Sequence, residues 1–98
     1  MSALTRSQRN TISGTVGTTS VTVLAGGKAI NFLKVHNPSA SGGTQIAYTL
    51  DGLTTPVING SGNTLYPGGS EICDVHVPTG AVQIIGSAVG SPYTVEWA

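Results

Sequence analysis

Leu65-Tyr66-Pro67-Gly68-Gly69-Ser70-Glu71-Ile72 is the most explicit conformational instruction in the sequence. Pro67 presets φ near the value a tight turn needs at its second position, and Gly68 supplies the positive φ that a type II turn needs next. The chain reverses here. β-prone residues lie on both sides, Thr64-Leu65-Tyr66 before the turn and Ile72 to Val77 after it, so the expectation is two strands joined tightly. Gly26-Gly27-Lys28-Ala29-Ile30 and Gly42-Gly43-Thr44-Gln45-Ile46 repeat the Gly-Gly-x-x-Ile cue, each opening a β-like run. Their spacings are unequal, which marks punctuation between strands and not a structural repeat.

Working outward, Ser20-Val21-Thr22-Val23-Leu24-Ala25 alternates as a half-buried strand does, with Val21 and Val23 on the apolar face. The run from Ala29 to Asn37 starts with Ile30 and Phe32 in phase and then shifts to Leu33 and Val35, which predicts a doubly covered strand or a bulge near Phe32. Asn37-Pro38-Ser39-Ala40-Ser41-Gly42-Gly43 is loop chemistry. Ile46, Tyr48 and Leu50 then share one strand face before the turn pair Asp51-Gly52. Val57-Ile58 suggests a short edge strand. From Glu71 to Val77 the apolar face is Cys73, Val75 and Val77. Ala81 to Gly86 forms another strand, and Tyr93, Val95 and Trp97 alternate through the last one.

Seven or eight short strands with turn signals every 8 to 12 residues or so predict an all-β fold: one compact β-sandwich or jelly-roll-like domain of antiparallel strands. The expected core is Val21, Val23, Leu33, Val35, Ile46, Tyr48, Cys73, Val75, Ile84 and Val95. Residues 1–14 show neither strand nor helical period and read as an irregular N-terminal arm, leaving 15–98 as the β domain. That arm carries Arg6 and Arg9 and no acid, so these two are the candidate partner-binding residues, paired with carboxylates or carbonyls of a neighbouring subunit. The same composition suits a frayed end.

Ninety-eight residues support one modest core. Charged residues are 8% of the chain, against about 25% in an ordinary globular protein, and the formal net charge is zero. A surface this neutral leaves nucleic acid a poor partner and suits permanent docking in an assembly, a homo-oligomer included. Cys73 is the one cysteine, so stability comes from packing and not from internal disulfides. The first residues lack the apolar core of a signal peptide and no segment reaches membrane-spanning length, so synthesis in the cytoplasm and no membrane partner are expected.

The inventory for chemistry is thin. Cys73-x-x-His76 would place its two side chains on opposite faces of a continuous strand, which argues against a metal site. No serine sits in Gly-x-Ser-x-Gly, no glycine loop cradles phosphate, and the four carboxylates form no pair on one strand face. The expectation is a non-enzymatic protein with no catalytic residue, cofactor or metal. Asn59-Gly60-Ser61 matches a glycosylation acceptor by accident and reads as a turn.

Leu33-Lys34-Val35-His36-Asn37-Pro38-Ser39, Ile46-Ala47-Tyr48-Thr49-Leu50-Asp51-Gly52, Leu65-Tyr66-Pro67-Gly68-Gly69-Ser70 and the closing region from Val82 to Val95 together resemble small virion proteins of tailed bacteriophages. The resemblance covers residues 30–98 and is one of strands and turns. It implies a capsid decoration protein that binds and stabilises the assembled shell. The expected partners are the major capsid protein or other virion subunits, at the capsid surface of the virion. The alternatives it implies are a phage tail or fibre component, or a carbohydrate-binding module on the virion surface.

Overall fold

The computed structural model describes residues 9–98. Eight strands are formed: β1 (Asn10–Val16), β2 (Val21–Leu24), β3 (Leu33–His36), β4 (Ile46–Thr49), β5 (Asn63–Leu65), β6 (Ser70–Cys73), β7 (Val82–Gly86) and β8 (Ser91–Trp97). They make two four-stranded sheets, ordered β1-β8-β3-β6 and β2-β7-β4-β5, with every pairing antiparallel. Only the β4–β5 connection stays within one sheet; each of the others carries the chain across the sandwich. Eight strands so ordered in two facing sheets form a jelly roll.

Alternation builds the core. Leu33 and Val35 on β3 and Tyr93 and Val95 on β8 face Ile46 and Tyr48 on β4, Val82 and Ile84 on β7, and Leu24 on β2. The intervening residues of β3, β7 and β8 are partly exposed, as period-two strands require. β4 departs from this and is buried on both faces. Thr49 Oγ1 donates to Thr54 O (2.7 Å) and Asn59 N donates to Thr64 Oγ1 (2.8 Å), which holds the 50–62 connection across the outer side of β4 and β5. Across the sandwich, the Tyr48 hydroxyl donates to the Glu71 carboxylate on β6.

The two ends of the sandwich differ. Connections 25–32, 50–62 and 74–81 lie at the end where β1 begins and β8 finishes, the long-connection end, where each has eight residues or more; of the four at the other end 37–45 alone does. Connections 17–20, 37–45, 66–69 and 87–90 lie at the other end and are stitched to one another. Gly86 N donates to Gly17 O (2.8 Å), Ser87 N to Gln45 O (2.9 Å) and Gln45 N to Ser87 Oγ (2.9 Å). Asn37 completes the set. Its side chain is fully buried and its Nδ2 donates to both Thr44 O and Leu65 O at 2.9 Å, while its Oδ1 accepts from Ser39 N. Its backbone pairs with the Pro67–Gly68 turn, N to Gly69 O and O from Gly68 N, both at 2.9 Å.

That turn has the conformation its residues dictate: Gly68 has φ +83° and Gly69 N donates to Tyr66 O at 2.8 Å. What it joins is different from expectation. β5 and β6 lie in opposite sheets, so the turn is a crossing between sheets and not the bend of a hairpin. Other local expectations fail for identifiable reasons. β2 shifts register between Thr22 and Leu24, a bulge that delivers Leu24 to the core, while Val21, on an edge, is 48% exposed. Ile30 and Phe32 precede β3 instead of belonging to it, which accounts for the phase shift there. Val57-Ile58 is turn and not strand. β6 stops at Cys73, so Cys73 is only partly buried and Val75, expected in the core, is 82% exposed in the bend that follows. The boundary drawn at residue 14 falls inside β1, which pairs with β8 from Asn10 onward.

Asn37→Ala should lower stability by about 3 kcal/mol, because the part-buried carbonyls of Thr44 and Leu65 lose their donor and Ser39 N loses its acceptor. Gly68→Val should cost about 1 kcal/mol or more through its positive φ. Val75→Asp, by contrast, should stay within about 0.5 kcal/mol of wild type. Urea unfolding of the three variants checks all of these.

Candidate assembly surface

The outer face of the β1-β8-β3-β6 sheet is built from the residues that alternation turns away from the core. One row across it runs Thr11, Glu96, Lys34, Ile72 and the next Ser13, Thr94, His36, Ser70. Ser13 Oγ and Thr94 Oγ1 are 3.2 Å apart, and His36 Nδ1 lies 3.1 Å from Gly69 O. Half of these side chains carry a hydroxyl, and the two charges, Lys34 and Glu96, oppose each other on adjacent strands.

An outer strand of a sheet offers unpaired backbone N–H and C=O groups to any second chain, and folded proteins blunt such edges by brevity, bulges, proline or charge. Three of the four edges here are blunted. β2 is short and bulged, β5 spans three residues, and β6 spans four and carries Glu71. β1 is different: seven residues long, regular in its register with β8, and without charge or proline. Its signal is present in the sequence, since Ile12, Gly14 and Val16 alternate with the hydroxyls Thr11, Ser13 and Thr15. The low hydrophobicity of that stretch hides it in a search for apolar periodicity.

Arg9 stands just before β1. Its guanidinium lies over the Phe32 ring, 4.2 Å from the centroid, and its Nη1 is 3.4 Å from Glu96 Oε1. Arg9, a candidate for binding a neighbouring subunit, pairs with Glu96 of its own chain, in a partly exposed pair that adds little stability. Arg6 lies outside the described residues. Beside Arg9, Ala98 O accepts from the successive N–H groups of Ile30, Asn31 and Phe32 at 2.9, 2.7 and 3.1 Å, which ties the end of β8 to the approach to β3.

An open cleft of about 400 Å³ at the long-connection end includes Tyr48, Asp51, Thr54 and Asn63 in its lining. Its polar groups are already engaged. Asp51 Oδ1 accepts from Leu53 N and Thr54 N at 2.9 Å and Oδ2 from Thr54 Oγ1 at 2.7 Å. The Thr54 backbone and hydroxyl donors, then Leu53, hold its carboxyl down at about 2. Burial, reinforced by the Glu71 carboxylate, pushes the Tyr48 phenol well above its ordinary range. Burial also raises the Cys73 thiol, with Glu71 and Asp74 adding to it, so Cys73 is a poor nucleophile. Among the described residues no group of three or more His, Cys, Asp or Glu side chains converges on a metal-sized site. These groups form no nucleophile–base pair and no acid–base pair aimed at a common point.

No protein-family model matches the sequence, and no curated protein matches it. A solved structure does match in fold: a protein of the Bacillus endospore appendages, described as a family of disulfide-linked pili. It aligns with a TM-score of 0.53 and 18% identity, covering 93% of this chain and 85% of that one. This corrects the resemblance to phage virion proteins. The structural match is to a bacterial pilus protein and not to a capsid decoration, tail or fibre protein, so the capsid partner and the capsid-surface location fall with it. The physical reason is that the strand and turn pattern behind the resemblance is the spacing of a jelly roll, which recurs in proteins of unrelated function.

The Asp51 carboxyl should titrate at about 2 in the folded chain. A folded value below the unfolded one means that its hydrogen bonds stabilise the fold above the ordinary value of 3.8 and that this contribution fades as pH falls from there towards 2. Carbon-detected NMR titration reads the value directly, and Asp51→Asn should remove that part of the acid sensitivity of unfolding.

Proposed function

We propose that this chain is a structural subunit that associates with copies of itself into an extended, appendage-like assembly. The observation that carries the proposal is β1, a seven-residue strand whose outer edge pairs with no strand among the described residues and lacks the features that keep sheets from pairing with other chains. The likeness in fold to a Bacillus pilus protein over nearly the full length of both chains supports it by analogy. So does the sparse charge, which removes much of the repulsion that keeps small domains apart.

The assembly is held without covalent bonds between successive subunits. The Bacillus appendages are disulfide-linked, but one cysteine, Cys73, permits a single disulfide per copy of this sequence, enough to join two copies and no more. Non-covalent pairing along β1 is open to every copy.

Purified chain, concentrated and viewed by negative-stain electron microscopy with and without reductant, should form elongated particles in both conditions. The Ser13→Lys, Thr15→Lys double variant places two charges on exposed positions of β1, and it should keep the wild-type melting temperature within a few degrees while losing elongated particles. A wild-type chain that stays monomeric at its solubility limit would exclude self-assembly. Assemblies that vanish with reductant would show that a disulfide holds them.

A further inference from the structure

The end of the sandwich formed by residues 17–20, 37–45, 66–69 and 87–90 contains no Asp, Glu, Lys, Arg or His. Arg9, Lys28, Asp51, Asp74 and His76 lie at or next to the long connections of the opposite end, while the titratable group that borders the plate is His36, its Nδ1 3.1 Å from Gly69 O. The charge-free end is also rigid, because hydrogen bonds link all four of its connections, Gly17 to Gly86, Ser87 to Gln45, and Thr44 through Asn37 to Gly68 and Gly69. From it projects Val89, 87% exposed, with Tyr66 half-exposed at the side. Interface centres are depleted of charge and built around a few apolar anchors, and a preorganised surface loses little entropy when it docks.

We infer that this end plate is a contact face for a second copy of the chain, placed end to end about a two-fold axis. The inference rests on the self-association proposed above and names a second surface for it, separate from β1. A two-fold arrangement follows from the charge distribution. Docking the plate on the opposite end of another copy would desolvate Arg9, Lys28, Asp51 and Asp74 against a face with no counter-charge, an unfavourable transfer for each ion buried. Docking it on itself buries no charge and sets Val89 near its own symmetry mate. A nucleic-acid partner would need cations that this end lacks.

Sedimentation equilibrium on the full chain carrying Ser13→Lys and Thr15→Lys, which block the β1 edge, isolates this contact and should show dimers. Adding Val89→Lys or Val89→Glu should each weaken the dimer about tenfold or more through like-charge opposition, and an equimolar mixture of the two should restore it. Leu53→Lys, at an exposed site of the opposite end, should leave dimerisation unchanged. If wild type assembles but the β1-blocked chain is monomeric, or if neither Val89 charge weakens its dimer, the end-plate contact is wrong while self-assembly stands. If mixing fails to restore the dimer, or Leu53→Lys breaks it, the two-fold arrangement is wrong. A wild-type chain that never associates overturns both proposals together.

Discussion

The buried amide of Asn37 is the constraint on which one end of this sandwich depends. Six of the seven connections pass from one sheet to the other, and a crossing chain cannot satisfy its backbone by ladder pairing while it turns. Asn37 resolves this at the most congested point by offering two donors and one acceptor from a single side chain, to Thr44, Leu65 and Ser39. Its backbone meanwhile extends the β3–β6 pairing onto the Pro67–Gly68 turn. The geometry of the end plate, and any docking built on it, follows from that one residue being satisfied on every side.

What could be read in the residues divides along the range of the interaction involved. The shape of the Pro67–Gly68 turn is local, set by two φ angles, and was legible; the sheet to which it delivers β6 is a long-range choice and was not. Period two placed Leu33, Val35, Ile46, Tyr48, Ile84 and Val95 in the core correctly, since each strand keeps its phase. It misplaced Val21 because that residue, although opposite the buried Ile84, lies on a sheet edge, and Val75 because β6 ends two residues earlier, and neither fact leaves a clear local mark. For the surface, the neutrality of the chain was plain from composition, whereas the outer edge of β1 was concealed by glycine and hydroxyl residues that read as an arm. Asn37, which composition alone assigns to a loop, becomes a buried hub only through contacts with residues up to 32 positions away.

The two surfaces are complementary in kind. β1 presents backbone groups along a strand, where the geometry of a ladder would set any alignment; the end plate presents side chains and turns that carry no charge. Two self-complementary contacts on different sides of one subunit do not close into a ring unless their axes meet suitably, and otherwise they propagate. The cleft at the long-connection end contributes to neither surface, and its Asp51 and Thr54 side chains are engaged within the chain.

The pairing of β1 with β8 joins nearly the first described residues to the last, Asn10 to Trp97 and Val16 to Ser91. During synthesis at about 5 to 20 residues per second, β1 therefore waits roughly 4 to 15 s on the ribosome before β8, its partner among the described strands, begins to appear. Throughout that interval both of its edges are open in a crowded polysome, where neighbouring nascent chains carry the same strand. Ile12 and Val16 are the large apolar side chains of β1, so a premature encounter between two such strands rests mainly on backbone pairing and lacks the dry side-chain interface that makes aggregation irreversible.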